Sequence, residues 1–215
     1  MHSRCAIAAA VTCACAAAAA FGAVVPSWPE YSPKELAKGR FLVASERLNG
    51  SYFQQSVILL IEHGPGGALG VVINRPTAVP LAQLLPNLEA LQKRDDRAFA
   101  GGPVAPRAMM ILFRAKDPPP NSRHVFADIY ASGNFDTLKQ IVESDDEHTS
   151  FRAYAGNSGW APRQLEGEVL RGSWAIVSAD ADAVFEMDPS AIWPKFKERS
   201  DQLEANRRSV RDRFL

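Results

Sequence analysis

The chain of 215 residues reads as an α+β domain, on three observations. Two unbroken apolar runs, 57–61 and 69–73, flank a turn of Gly64, Pro65, Gly66 and Gly67. Runs of this kind suit strands covered on both faces, and the connection 62–68 is too short for the crossover that parallel neighbours need. They are expected as adjacent antiparallel strands at the heart of a sheet, with Ile58, Leu60 and Ile73 as leading core positions. Second, further strand-like stretches are interrupted by helical ones without regular βαβ alternation, which argues against a doubly wound fold. Third, 47% hydrophobic and 22% charged residues is an ordinary globular balance, with disorder expected only at the ends.

In chain order, 26–33 carries three prolines. Proline removes a donor and restricts its neighbour, so 26–35 reads as a linker without regular structure before a domain over 36–196. A strand follows at 39–44. The second central run ends at Asn74, Arg75 and Pro76, where the chain is expected to leave the sheet. Leu81, Leu84, Leu85, Leu88 and Leu91 share a helical face, broken by Pro86 into two short helices. Residues 99–104 read as an apolar piece with a Gly-Gly-Pro turn, 109–113 as a strand, 117–121 as an exposed proline loop, and 125–131 as one strand. Asn134 or Asp136 caps a helix over 137–143, and 144–149 is an acidic surface loop. A strand at 151–155 leads into a glycine-bounded loop, 156–159. Pro162 opens a helix to Leu170, with Leu165, Val169 and Leu170 inward and Gly172 as terminator. Residues 173–177 form the last strand and 183–185 a short turn. The chain is helical from Pro189, with Trp193 and Phe196 packing back and 197–215 as a helical tail.

The first 25 residues stand apart. Arg4 is their only charged side chain, and from Cys5 to Val25 the only polar one is Thr12. This is the pattern of a secretory signal peptide, with cleavage near the small residues Ala18, Ala20 and Gly22. Two alternatives stay open: an uncleaved N-terminal membrane anchor, or a mis-assigned start before a cytoplasmic protein. The first places the mature protein in the periplasm or outside the cell. Cys5, Cys13 and Cys15 all lie in this segment, so the remaining body has no disulfide, thiol nucleophile or cysteine-ligated metal.

Five stretches resemble the YqgE/AlgH family of bacterial proteins: GRFLVAS, SVILLIEHGPGGALGVVINRP, FAGGPV, AGNSGWAPRQLEGEV and GSW. They occur in the family's order across roughly 36–196. The resemblance implies a bent, branched, mixed or antiparallel sheet forming a pseudo-barrel with flanking helices. It also implies a transcriptional-regulator label connected with exopolysaccharide synthesis, without a demonstrated chemistry. Two features depart from the family pattern. Asn157, Ala161 and Arg163 replace a tyrosine and two glycines of the fourth stretch, and the leader is atypical.

Several residues are candidates for a site. His63, beyond the first central run, has the chemistry of a general base, against the plainer reading of a strand-end imidazole bonded to a loop. Ser56 lacks the Gly-x-Ser-x-Gly elbow of a nucleophile. The glycines 64–67 lack the Gly-Lys-Ser/Thr ending of a phosphate loop and read as a turn; Gly101 and Gly102 read likewise. Arg75, beside Asn74, suits either an anionic ligand or a structural ion pair. Gly159, Trp160 and Gln164 flank the glycine loop, and Trp174 reads as core. His2, His63, His124 and His148 are scattered without a metal-ligand spacing, so no metal and no cofactor is expected.

The net charge is zero, and no reading helix or basic face is visible, so specific nucleic-acid binding is not expected. The 195–215 segment, with seven basic and four acidic residues, reads as a solvated helix face. Membrane contact is expected only through an uncleaved leader. Two functions remain. One is a non-enzymatic regulatory or binding module for a protein partner or small ligand, using a surface of His63, Asn74, Arg75, Gly101, Gly102, Gly159, Trp160 and Gln164. The other is an enzyme of unassigned reaction, a hydrolase being one option, with His63 as general base.

Overall fold

A computed structural model of the protein describes residues 31–144 and 150–213. The leader and most of the 144–149 loop lie outside the described residues. The strands run β1 (Arg40–Ala44), β2 (Val57–Gly64), β3 (Gly67–Val72), β4 (Pro76–Pro80), β5 (Arg97–Ala100), β6 (Val104–Arg114), β7 (Arg123–Phe126), β8 (Ile129–Ser132), β9 (Phe151–Trp160) and β10 (Trp174–Ser178). The helices are α1 (Leu81–Leu84), α2 (Phe135–Glu143), α3 (Gln164–Leu170), α4 (Ala181–Phe185) and α5 (Pro189–Asp212).

The central pair forms as the apolar runs require. β2 and β3 are antiparallel, with Ile58 opposite Val72 and Gly64 opposite Gly67. Ile58, Leu60 and Ile73 are fully buried. The turn is shorter than the glycine run, because the ladder continues through Glu62 and His63 to Gly64. Of the turn glycines only Gly67 has a left-handed φ, +117°. A Cβ there would lie 2.2 Å from the Trp160 carbonyl oxygen on β9.

One path of ladders joins β10-β1-β2-β3-β9-β6-β8-β7, and β5 branches from β9, carrying β4 on its far side. All pairings are antiparallel except β5 with β9, so the sheet is mixed and branched. It also curls. Trp160 on β9 and Trp174 on β10 are four ladder steps apart, which in a flat sheet means about 19 Å. Their ring centroids are 6.3 Å apart. Among the described residues no ladder joins the end strands β10 and β7, so the expected pseudo-barrel is a curled open sheet rather than a closed one.

The α3 crossover spans from β9 to β10 over the concave face. Leu165 and Val169 of α3 are buried there. On the alternate face Phe41 meets Phe196 of α5 edge to face, centroids 5.0 Å apart, and Trp193 donates its indole N–H to the Ala44 carbonyl. A second core under α2 gathers Leu138, Ile141, Val142, Phe113 and Phe151 with Leu81, Leu88 and Leu91.

Several expectations are corrected. Prolines do not exclude an element before residue 36: Ser32 and Glu35 form a capping box on a 3-10 turn, Pro33–Glu35, since proline at the first helical position has no donor to lose. Tyr31 is buried and donates to the Ser200 carbonyl of α5. The chain does not leave the sheet at Pro76; it continues as the edge strand β4, a position that tolerates proline. The 125–131 strand is a hairpin, β7 and β8. The glycine loop 156–159 is the second half of β9, and the 109–113 strand starts five residues earlier as β6. Leu84 and Leu170 are exposed rather than inward.

Candidate functional site

The candidate residues divide into three groups. The first lies at the β2 start. Asn74 accepts a hydrogen bond from the Val57 N–H at its Oδ1 (2.9 Å) and donates from Nδ2 to the Gln55 carbonyl (2.9 Å). Arg75 donates from Nη2 to the Gln54 carbonyl (3.0 Å) and to the buried Ser56 hydroxyl (2.9 Å). Its guanidinium also lies 4.7 Å from the centre of the Tyr52 ring. The Asn-Arg pair is therefore a clip that holds 54–57 as it enters the sheet. Ser56, as the acceptor of that clip, is placed as a structural serine.

The second group is a close crossing of backbones. Gly101 donates to the Ala155 carbonyl and accepts from the Val72 N–H. A Cβ on Gly101 would lie 2.4 Å from the Gly156 carbonyl oxygen, and one on Gly102 would lie 2.2 Å from Asn157 backbone atoms. Both positions need glycine because β9 passes too close for any side chain. Gly159 pairs with Leu69 in the ladder, and a Cβ there meets only ordinary contacts.

The third group lies under α3. His63, Ala68 and Trp160 share one row across β2, β3 and β9, so their side chains project from one face. His63 Nε2 is 2.9 Å from Glu166 Oε1. Glu166 feels opposing influences: partial burial raises its pKa, while its own backbone N–H and His63 lower it, and the balance is a lowered value. Two residues further along α3, Glu168 Oε2 accepts from the indole N–H of Trp160 (2.9 Å) and of Trp174 (2.8 Å). Its Oε1 accepts from Gln164 Nε2 at 3.0 Å, and Gln164 Oε1 caps the Ala161 N–H. Phe53 lies against both indoles, with centroids 6.5 and 5.5 Å away.

His63 and Arg75 do not share a pocket. Val57 and His63 occupy opposite ends of β2, about 20 Å apart at strand rise, and Arg75 sits at the Val57 end. Of the expected surface, Trp160 and Gln164 meet on Glu168, and His63 reaches the same helix through Glu166. Sequence reading missed Glu166 and Glu168, which complete that cluster. Two carboxylates between Leu165 and Val169 look like the solvated side of a short helix, and only the crossover over the sheet brings Glu166 to His63 and Glu168 to the indoles. Among the described residues, no three His, Cys, Asp or Glu side chains gather as a metal set, and no helix is long and apolar enough to cross a membrane.

Comparison with known proteins places the chain beside a group of bacterial relatives. A family described as AlgH-like matches residues 41–202. A UPF0301 protein of Anaeromyxobacter is 35% identical over 175 residues, covering 77% of this chain and 88% of the relative. One from Cytophaga hutchinsonii is 33% identical over 164 residues, covering 74% and 86%. The solution structure of the AlgH protein from Pseudomonas aeruginosa is similar with a TM-score of 0.63 at 25% identity, covering 83% of this chain and 90% of that one. A crystal structure from Corynebacterium diphtheriae, with a TM-score of 0.65 at 23% identity over 76% and 87%, shares the fold.

Proposed function

The chain belongs to the AlgH-like family, and from that membership and the site's geometry we propose that it is a non-enzymatic regulatory or binding module. One observation carries the reading: the polar side chains of the motifs are engaged in holding backbone and indoles. Asn74 and Arg75 clip the entry to β2, and Glu168 ties β9 to β10 through two tryptophans. Such engagement leaves the motifs as a frame, and the partner or ligand is recognised by the surfaces the frame displays. The regulatory half rests on the family's label. Specific nucleic-acid reading is not part of the proposal, for want of a basic reading face.

A second reading has its own observation. His63 with Glu166 at 2.9 Å has the geometry of a base held by an orienting carboxylate. A hydrolase on this plan needs a nucleophile or an activated water beside His63. The buried Ser56 is bonded to Arg75 at the other end of β2, so it does not serve. The test is hydrolysis of chromogenic esters, phosphoesters and glycosides by the wild type and by His63→Ala. The binding-module reading expects equal background rates. Turnover that disappears with His63 would establish the hydrolase instead.

A further inference from the structure

A cavity of about 370 Å³ opens between the end of α3, the 45–47 turn and the middle of α5, within the size range of small-molecule sites. None of the candidate site residues His63, Asn74, Arg75, Gly101, Gly102, Gly159, Trp160 and Gln164 lines it, although Val43, Ser45, Val169, Gly172 and Trp174 of the motif stretches do. Its apolar side is Val169, Trp174 and Leu170, and Leu170 is 53% exposed. An exposed leucine is unremarkable alone; here it forms part of a concave wall beside polar groups.

The charged lining is unequal. On the α5 side Lys197 is paired with Asp201 at 2.5 Å and Arg208 with Glu204 at 3.7 Å. On the other side stand Arg47, Arg171 and Glu46. Among the described residues neither the Arg47 nor the Arg171 guanidinium has an ion pair or hydrogen bond. Arg47 Nε lies 3.4 Å from where a Cβ on Gly172 would stand, and Arg171 folds back along α3, its Nη1 3.2 Å from where a Cβ on Gly167 would stand. Gly172 has φ +71° and closes α3 with bonds from Gly172 N–H to Val169 and Ser173 N–H to Glu168. The Ser45 hydroxyl takes up the Gly172 carbonyl. Much of the helix end is therefore satisfied by backbone and Ser45, so the two arginines are not consumed in capping it. Glu46 opposes them but leaves a net positive wall.

We propose that this cavity binds a small organic anion, with a carboxylate or phosphate between Arg47 and Arg171 and an apolar body against Leu170, Val169 and Trp174. Guanidinium forks are suited to planar and tetrahedral oxyanions. The site stands whether or not His63 has a catalytic role.

The experiment is an amide-resolved NMR titration of the protein with benzoate and phenyl phosphate, with benzylamine as the cationic control. The expected result is saturable shifts at the Gly172 amide and the Trp174 indole N–H with one or both anions, and none with benzylamine. The Arg47→Gln/Arg171→Gln double variant, at two exposed positions, should keep its melting temperature and bind at least about tenfold more weakly. No saturable shift with either anion up to about 10 mM, equal shifts with benzylamine, or undiminished binding by the double variant would overturn the proposal. Activity of the wild type in the hydrolase assay bears on His63 alone and leaves these outcomes readable.

Discussion

Trp160 and Trp174, four ladder steps apart in the sheet, donate their indole N–H groups to the same carboxylate oxygen of Glu168. The clasp spans the concave face and ties the two ends of the α3 crossover. Removing the acceptor leaves two largely buried donors without a partner. Glu168→Ala should lower unfolding free energy on the order of 2–4 kcal/mol. Glu168→Gln, which keeps an acceptor oxygen, should cost less. Urea denaturation of both variants checks the ordering; a Glu168→Ala variant as stable as the wild type would mean that the indole bonds contribute nothing.

The turn glycines offer an internal control. Gly67 combines φ +117° with a Cβ position 2.2 Å from the Trp160 carbonyl oxygen. A Cβ on Gly66 meets nothing within 4 Å. Gly67→Ala should therefore cost at least about 2 kcal/mol through backbone strain, while Gly66→Ala stays near neutral. Thermal melts of the two variants would show it, and similar melting temperatures would contradict the assigned turn.

Arg207 on α5 donates to both oxygens of Glu35 (2.8 and 2.6 Å), joining the start of the fold to its last helix. That bond, with help from the Ser32 N–H and against partial burial, holds the Glu35 carboxyl below its ordinary value. A depressed folded pKa contributes stability that is fully present above the unfolded value of about 4.3. It is lost as pH falls through the lower folded value. The melting-temperature difference between wild type and Glu35→Gln should thus be constant near neutrality and shrink toward zero in acid. A difference unchanged down to pH 2 would contradict the linkage.

The sequence makes the hairpin legible because 57–61 and 69–73 are apolar without interruption and the intervening turn is short. It makes the helix stops legible where a residue has a local task, as Gly172 does. It hides the second half of β9, since Gly156 and Gly159 carry the same local signal as a loop. For Gly156 the reason is non-local: the 99–104 segment crosses β9 at backbone distance, with a Cβ on Gly156 2.5 Å from the Gly102 carbonyl oxygen, whereas Gly159 meets only ordinary contacts. The site was partly legible. Trp160 and Gln164 are both bonded to Glu168, and His63 touches the same helix through Glu166, but Arg75 shares the motif with His63 while standing at the far end of β2. Neighbours in sequence across a hairpin turn are not neighbours in a pocket. Glu166 and Glu168 gave no signal, because their partners come from β2, β9 and β10.

We predict that residues 1–25 are removed as a secretory signal. An alanine-rich apolar segment ending in small residues should be removed by A-x-A-type cleavage, leaving a mature N-terminus between about residues 21 and 27. N-terminal sequencing of protein from its native host checks this. A chain that begins at Met1 in the cytosolic fraction would contradict it.

The central claim is that the motif side chains hold the sheet together rather than act on a substrate, and Arg75 tests it most directly. Its bonds to the Gln54 carbonyl and the buried Ser56 hydroxyl make it a stability residue. Equilibrium urea unfolding of Arg75→Ala should show a loss of about 1–3 kcal/mol. Unchanged stability would mean that the clip is dispensable, and that Arg75 is held for a ligand instead.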